Sequence, residues 1–357
     1  MRAALVFFPI TVVFLVARSE QSLASFSSNH VEIRTTSSVQ SVLDVDTLIQ
    51  DSLDHLSAKI KEFQKDAGRF HRPYVTLAFS QSIDGMIALK TNEPGSTATS
   101  TKSTSSNFAI SGPESLRLTH GLRSIHDGII VGGKTLSVDN PRLTNRLWSP
   151  SLHKEPCVPI ILDTHLNHIR LLGNKMRVQN PIVCCSSDAY EQARRDGYSG
   201  PKEGDQTVAA IKENDIPQSL TLLPCKTKIV RENDNEAKKV LDLKDVLSKL
   251  YHEQGINSLM VEGGASVLSL FAGDTSRDED NDENEDNEKQ YLFDYLCVTI
   301  SPKLLGSNGL ASLSSFGGSS KDIAVLGPLK CISIGEDCVL FADRMMSGLA
   351  AKDGHAN

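Results

Sequence analysis

Apolar residues recur at 4-3-4-3 spacing through Ile49, Leu53, Leu56, Ile60 and Phe63. That period predicts an amphipathic helix over residues 44–68 with Gly68 as its stop signal, docked on a core edge or against a partner. Short apolar runs predict buried strands at 74–79, 128–131, 158–162, 181–185 and 258–261, a shorter one at 220–223, and a longer one at 292–300. Helices are predicted between them at 113–124, with Pro113 in the first turn and Leu116, Leu118 and Leu122 apolar, and at 188–195, 242–254 (ended by Gly255) and 265–271. Residues 331–334 and 338–341 flank Gly335-Glu336-Asp337 and read as a terminal hairpin, whereas 196–236 reads as loop-rich apart from its one strand. Strands alternating with helices predict an α/β fold: a mostly parallel central sheet, helices on both faces, and a C-terminal antiparallel hairpin at one edge.

Residues 1–26 break this pattern. Arg2, the apolar stretch 3–17 and the small residues at Leu23-Ala24-Ser25 describe a signal peptide, or alternatively a membrane anchor. Residues 27–68 join a Ser/Thr-rich, acid-poor stretch resembling a transit peptide to the predicted helix. Together they resemble the bipartite presequence of complex plastids, with the secretory pathway as the alternative, and the mature form is expected to be free of the membrane. The working domain is expected at 69–345, followed by a tail at 346–357. Two segments read as loop insertions, the Ser/Thr-rich 91–106 and the acidic 274–290.

Composition matters mainly through charge. The chain of 357 residues carries 37 Lys and Arg against 44 Asp and Glu, a net charge of −7. Residues 274–289 alone account for −7, so the rest is balanced, and a general nucleic-acid coat is excluded for want of a basic stripe. The seven cysteines form no CxxC, which removes zinc-ribbon and thioredoxin-like readings and leaves a reduced protein without a disulfide framework. His165 and His168 lack an evident third ligand and read as surface histidines, so no metal is expected.

Residues 128–135, Gly-Ile-Ile-Val-Gly-Gly-Lys-Thr, match GxxxxGK[ST]. In a P-loop the middle residues form a phosphate-wrapping loop and a helix opens at Lys-Thr. Here the middle residues are themselves the best strand candidate, and Asp139-Asn140-Pro141 leaves no room for a helix to run on from Lys134-Thr135, so an NTPase is rejected. A better use is a strand end where Gly132-Gly133 lets backbone approach a ligand, with Thr135 and Asp139 beyond the carboxyl edge of a parallel sheet.

The segments 75–85, 110–124, 132–146, 160–163, 260–265 and 298–306 occur in the order found in the reductase domain of riboflavin biosynthesis, and T-x3-D-N-P-x-L-x2-R is intact from Thr135 to Arg146. The chain resembles that family over about residues 72–343. The resemblance implies a dihydrofolate-reductase-like fold and NADPH-dependent reduction of a phosphoribosylamino-pyrimidine to its ribitylamino form. By carry-over, Thr135, Asp139, Thr164, Gly263 and Gly264 hold the cofactor, while Arg123, Leu143, Arg146 and Glu262 face the substrate. Asp84 either lines the site or makes an Asp-Gly turn.

Side-chain chemistry agrees with these roles: guanidinium forks suit a 5′-phosphate, a carboxylate suits ribose hydroxyls, and the start of helix 265–271 suits a pyrophosphate. Bland uses remain for Arg123, as a helix-dipole partner, and for Arg146, as a surface cation. The His-x-Glu and Pro-Cys-x-x-Cys of a fused deaminase are absent. That resembles stand-alone reductases, which act on the diamino-pyrimidinone before deamination; the deaminated uracil is the alternative substrate. Related reductases form homodimers, so a homodimer is implied. The competing readings are a reductase of another substrate and a nucleotide-binding module without turnover.

Overall fold

The computed structural model describes residues 44–66, 70–89, 109–149, 156–200, 216–217, 219–233, 236–273, 291–311 and 326–345, all within the compact unit Leu43–Asn357. The presequence, Gly68, both insertions and the tail lie outside the described residues.

Nine strands form the central sheet. In chain order the strands are β1 (Tyr74–Ser82), β2 (Met86–Leu89), β3 (Gly128–Gly132), β4 (Val158–Leu162), β5 (Ile182–Ser186), β6 (Thr221–Cys225), β7 (Thr227–Asn233), β8 (Glu236–Leu241), β9 (Ser258–Val261), β10 (Tyr295–Ser301), β11 (Gly309–Ala311), β12 (Lys330–Ile334) and β13 (Asp337–Asp343). The sheet order is β12-β13-β10-β1-β9-β3-β4-β5-β6, parallel from β10 to β6, with β13 antiparallel on β10 and β12 on β13. The helices are α1 (Val45–Lys65), α2 (Pro113–Ile125), α3 (Gly133–Asp139), α4 (Asn167–Leu172), α5 (Ser187–Arg195), α6 (Leu243–His252) and α7 (Ala265–Ala272).

The strands are continuous apolar runs because both faces are covered. On β3, Ile130 packs under α6 and α7 with Leu247, Val267 and Phe271. Its neighbours Ile129 and Val131 face the other side, beneath α3, α4 and α5 with Leu136, Ile169 and Ala193. On that same side, α1 and α2 bury Ile49, Leu53, Leu56, Leu118 and Leu122 against Tyr74, Met260 and Phe341. The amphipathic helix thus docks on the core, as its stripe predicts.

Several expectations need correction. The hairpin β7–β8 and the pair β2–β11 form two small antiparallel sheets that the pattern did not reveal. The long strand starts at Tyr295 rather than Leu292, because Leu292 and Phe293 sit in the core ahead of it and the Asp294 carboxylate is bound to Arg72. A helix does open at Gly133: α3 fits seven residues before Pro141 and ends at Asn140, whose φ is +39°. The Asn140 amide fixes this end by donating to the Lys175 carbonyl and accepting from the Arg177 N–H. The P-loop reading still fails, since residues 128–132 are a fully buried strand with no loop to wrap a phosphate.

Candidate functional site

The candidate residues gather beyond the carboxyl ends of adjacent parallel strands. Asp84 follows β1, Thr135 and Asp139 follow β3, Thr164 follows β4, and Glu262, Gly263 and Gly264 follow β9. Open α/β sheets present ligand sites at this edge.

A two-bond ion pair joins two residues 139 positions apart. Arg123, near the end of α2, donates from Nε to Glu262 Oε1 at 2.8 Å and from Nη2 to Glu262 Oε2 at 2.6 Å. The side chains are only 11% and 17% exposed. Burial works against the charge on Arg123, and the Glu262 carboxylate outweighs it, so the guanidinium pKa is raised. The fork expected to await a phosphate is therefore filled by Glu262. A third bond, from Arg123 Nη1 to the Thr144 carbonyl at 3.1 Å, ties α2 to the loop between α3 and β4.

That loop, residues 140–149, carries two expected substrate residues. Leu143 has φ +54°, a left-handed conformation uncommon for leucine, yet its side chain is buried among Ile129, Leu136 and Ile161. Its backbone rather than its side chain is what it offers to a site. Arg146 is exposed, and no carboxylate among the described residues pairs with it. Its backbone N–H donates to His120 Nδ1 at 2.8 Å. His120 is a buried residue on α2 that sequence reasoning passed over. Burial, then the nearby charges of Arg123 and Arg146, lower its pKa to about 4, so the imidazole is neutral at pH 7.

The expected cofactor residues form a second group. Thr135 and Asp139 are four apart and share one face of α3, an alignment supplied by the helix that the sequence reading denied. Asp139 is exposed, yet desolvation by its neighbours raises the pKa of its carboxyl. A Cβ on Gly264 would lie 3.2 Å from Thr135 Oγ1, so the Gly263-Gly264 turn and α3 abut. A Cβ on Gly263 would fall 2.4 Å from Val267 Cβ, and one on Gly132 would fall 2.9 Å from Val267 Cγ2. Val267 thus occupies the space over both residues. At Gly132 the missing side chain serves packing of α7 on the sheet, not the approach of a ligand. Gly264 caps α7 without a side-chain acceptor, and no acid stands in the first turn of that helix.

Thr164 lies in the turn after β4, where its carbonyl accepts from the Ser186 N–H. Asp84 is a clamp: its carboxylate accepts from Ser82 Oγ at 2.5 Å, from the Leu305 N–H at 3.2 Å and from the Gly306 N–H at 2.7 Å. The Ser82 hydroxyl, followed by the Gly306 amide, holds its pKa below the usual carboxylate range. These contacts tie the end of β1 to the backbone at Leu305 and Gly306. His168 is engaged through Nδ1 with Ser137 Oγ at 2.9 Å. None of the seven cysteines forms a disulfide, though Cys331 and Cys338 bring their Sγ atoms to 2.8 Å across the terminal hairpin.

Known proteins resemble this chain over the same region. The family model described as the RibD C-terminal domain matches residues 73–279. The 2,5-diamino-6-ribosylamino-4(3H)-pyrimidinone 5′-phosphate reductase of Debaryomyces hansenii is 30% identical over 246 residues, which cover 67% of this chain and 79% of the relative. The enzyme of the same name from Saccharomyces cerevisiae is 29% identical, covering 66% and 75%. A solved structure of the Saccharomyces riboflavin biosynthesis reductase aligns over 77% of this chain and 91% of its own, at 23% identity and a TM-score of 0.45. The family match spans more than half of the chain, from β1 through the paired Arg123 and Glu262 to the glycine turn. This chain belongs to the RibD C-terminal domain family.

Proposed function

We propose that the protein is the NADPH-dependent reductase of 2,5-diamino-6-(5-phosphoribosylamino)pyrimidin-4(3H)-one, converting its ribosylamino side chain to the ribitylamino form in riboflavin biosynthesis. The observation that carries this reading is the buried Arg123–Glu262 fork beside the loop that bears Arg146. It presents a carboxylate for sugar hydroxyls next to a cation without a carboxylate partner among the described residues. The relatives quoted above are named as reductases of 2,5-diamino-6-ribosylamino-4(3H)-pyrimidinone 5′-phosphate.

The residues fit the implied cofactor. Thr135 Oγ1 sits against Gly264, and the start of α7 lacks a side-chain cap and first-turn acids, so hydroxyl and amide donors converge where a pyrophosphate would lie. Asp139 on the same face of α3 is available to a ribose hydroxyl, and Thr164 follows β4, the strand next to β3 in the sheet. NADPH, when bound, supplies the hydride. The chain then has three tasks. Arg146 receives the 5′-phosphate. Glu262, oriented by Arg123, accepts hydrogen bonds from the ribose hydroxyls with the lone pairs that Arg123 leaves open. The backbone at Leu143 to Thr144 walls the substrate. This division differs from a phosphate shared by both arginines, because Arg123 already spends three N–H donors on Glu262 and Thr144.

The test follows NADPH absorbance with the purified protein and either the diamino-pyrimidinone or the deaminated uracil as its phosphoribosylamine. Consumption with the first supports the reading. Preference for the second moves the enzyme after deamination, and no consumption with either refutes the reductase. Thr135→Ala and Asp139→Ala should each weaken NADPH binding, and unchanged affinity would remove the cofactor assignment. Two further elements rest on sequence and resemblance alone. We propose a plastid destination encoded in residues 1–43, tested by fusing them to a fluorescent reporter, and a homodimer, tested by light scattering.

A further inference from the structure

We infer that His120 is a positioning residue that aims Arg146 at the substrate phosphate. This rests on the reading of Arg146 as a phosphate ligand. The placement itself does not depend on that reading. His120 and Arg123 lie three apart on α2 and therefore share one face of the helix. From that face each grips the 140–149 loop, Arg123 at the Thr144 carbonyl and His120 at the Arg146 N–H. With Leu143 sunk in the core at φ +54°, the loop is fixed at three points within four residues, the last being the backbone from which the Arg146 side chain departs. The bond also sets the tautomer. Nδ1 must be bare to accept from Arg146, so the ring is neutral with its proton on Nε2. The low pKa given by burial and the two flanking arginines keeps it in that form at neutral pH.

A histidine that merely filled space could be replaced by leucine. The space would stay filled, but the Arg146 N–H would lose its acceptor. Asparagine is smaller, yet its Oδ1 branches from Cγ as Nδ1 does and can accept the same bond. The pair His120→Leu and His120→Asn therefore separates packing from positioning.

The experiment measures kcat and KM of the full-length protein and both variants with the phosphoribosylamino-pyrimidine and with its dephosphorylated form. It also measures NADPH affinity and hydrogen exchange of the Arg146 amide. For His120→Leu the expected result is a KM for the phosphorylated substrate raised roughly tenfold, the scale of one lost orienting hydrogen bond, with kcat and NADPH affinity little changed. The dephosphorylated substrate should show no such penalty, and the Arg146 amide should exchange faster. His120→Asn should restore both KM and protection. An equal penalty on both substrates would overturn the inference, as would a normal KM in folded His120→Leu or a failure of asparagine to rescue. If the unaltered protein turned over neither substrate, the functional reading would fall instead. The exchange of the Arg146 amide would then decide alone whether His120 holds the loop.

Discussion

Removing one partner from the Arg123–Glu262 pair should cost far more than a surface ion pair does. A buried pair that loses one member is destabilised by about 3–5 kcal/mol, whereas exposed pairs contribute about 0.2–1 kcal/mol. With side chains 11% and 17% exposed, joined by two bonds of 2.8 and 2.6 Å, this pair lies near the buried limit with some solvent screening. A coupling energy of about 2–3 kcal/mol follows. Arg123→Met keeps much of the aliphatic stem, and Glu262→Gln keeps one oxygen acceptor but aims an amide donor at the guanidinium. Urea unfolding of the unaltered protein, the two single variants and the double variant at pH 7 gives the coupling directly, provided the m-values agree. A coupling below about 0.5 kcal/mol, the surface-pair range, would mean that the fork does not persist in solution. Arg123 would then not be what orients Glu262.

Other outcomes can be checked alongside. Because the folded-state pKa of His120 is about 4 against an ordinary 6.5, the unfolded chain takes up its proton first as the pH drops. Stability from this residue is intact above pH 6.5 and declines towards pH 4 by about 3 kcal/mol. Urea midpoints at pH 7 and 4.5 should show a smaller decline in His120→Asn, and identical declines would refute the assignment. Gly263→Ala drives a methyl to 2.4 Å from Val267 Cβ and should destabilise by about 3 kcal/mol; thermal unfolding reads it, and an unchanged midpoint would refute the tight packing. Asp84→Ala removes the acceptor shared by the Leu305 and Gly306 amides, whose hydrogen exchange should quicken while that of β3 stays unchanged.

What could be read from the sequence was whatever had a period or a run. The stripe of α1, the doubly covered strands β3, β4, β5 and β9, and the terminal hairpin follow from residue patterning, because burial dictates it. The β7–β8 hairpin escaped because Lys228, Arg231, Lys238 and Lys239 interrupt any apolar alternation in the sequence. Helix α3 was missed because Pro141 promised an early stop, and seven residues fit before it. The residues of the site were named through motif order, but their mutual contacts were not legible. Nothing local in the sequence says that Arg123 reaches across 139 positions to Glu262, or that a histidine inside an ordinary amphipathic helix faces a loop amide.

The strand order has a consequence for synthesis. β1 lies between β9 and β10, whose first residues come about 175 and 210 positions after its end. At roughly 5–20 residues per second, a nascent chain waits on the order of ten to forty seconds before either neighbour of β1 exists. Throughout that interval Val75, Leu77 and Ala78 sit on a strand with two bare edges, a template for pairing with another chain. Arg123 likewise emerges long before its carboxylate. Transcripts truncated anywhere between β1 and β9 should therefore yield aggregating fragments rather than folded subdomains, which makes the middle of this chain the stage at which a chaperone matters most.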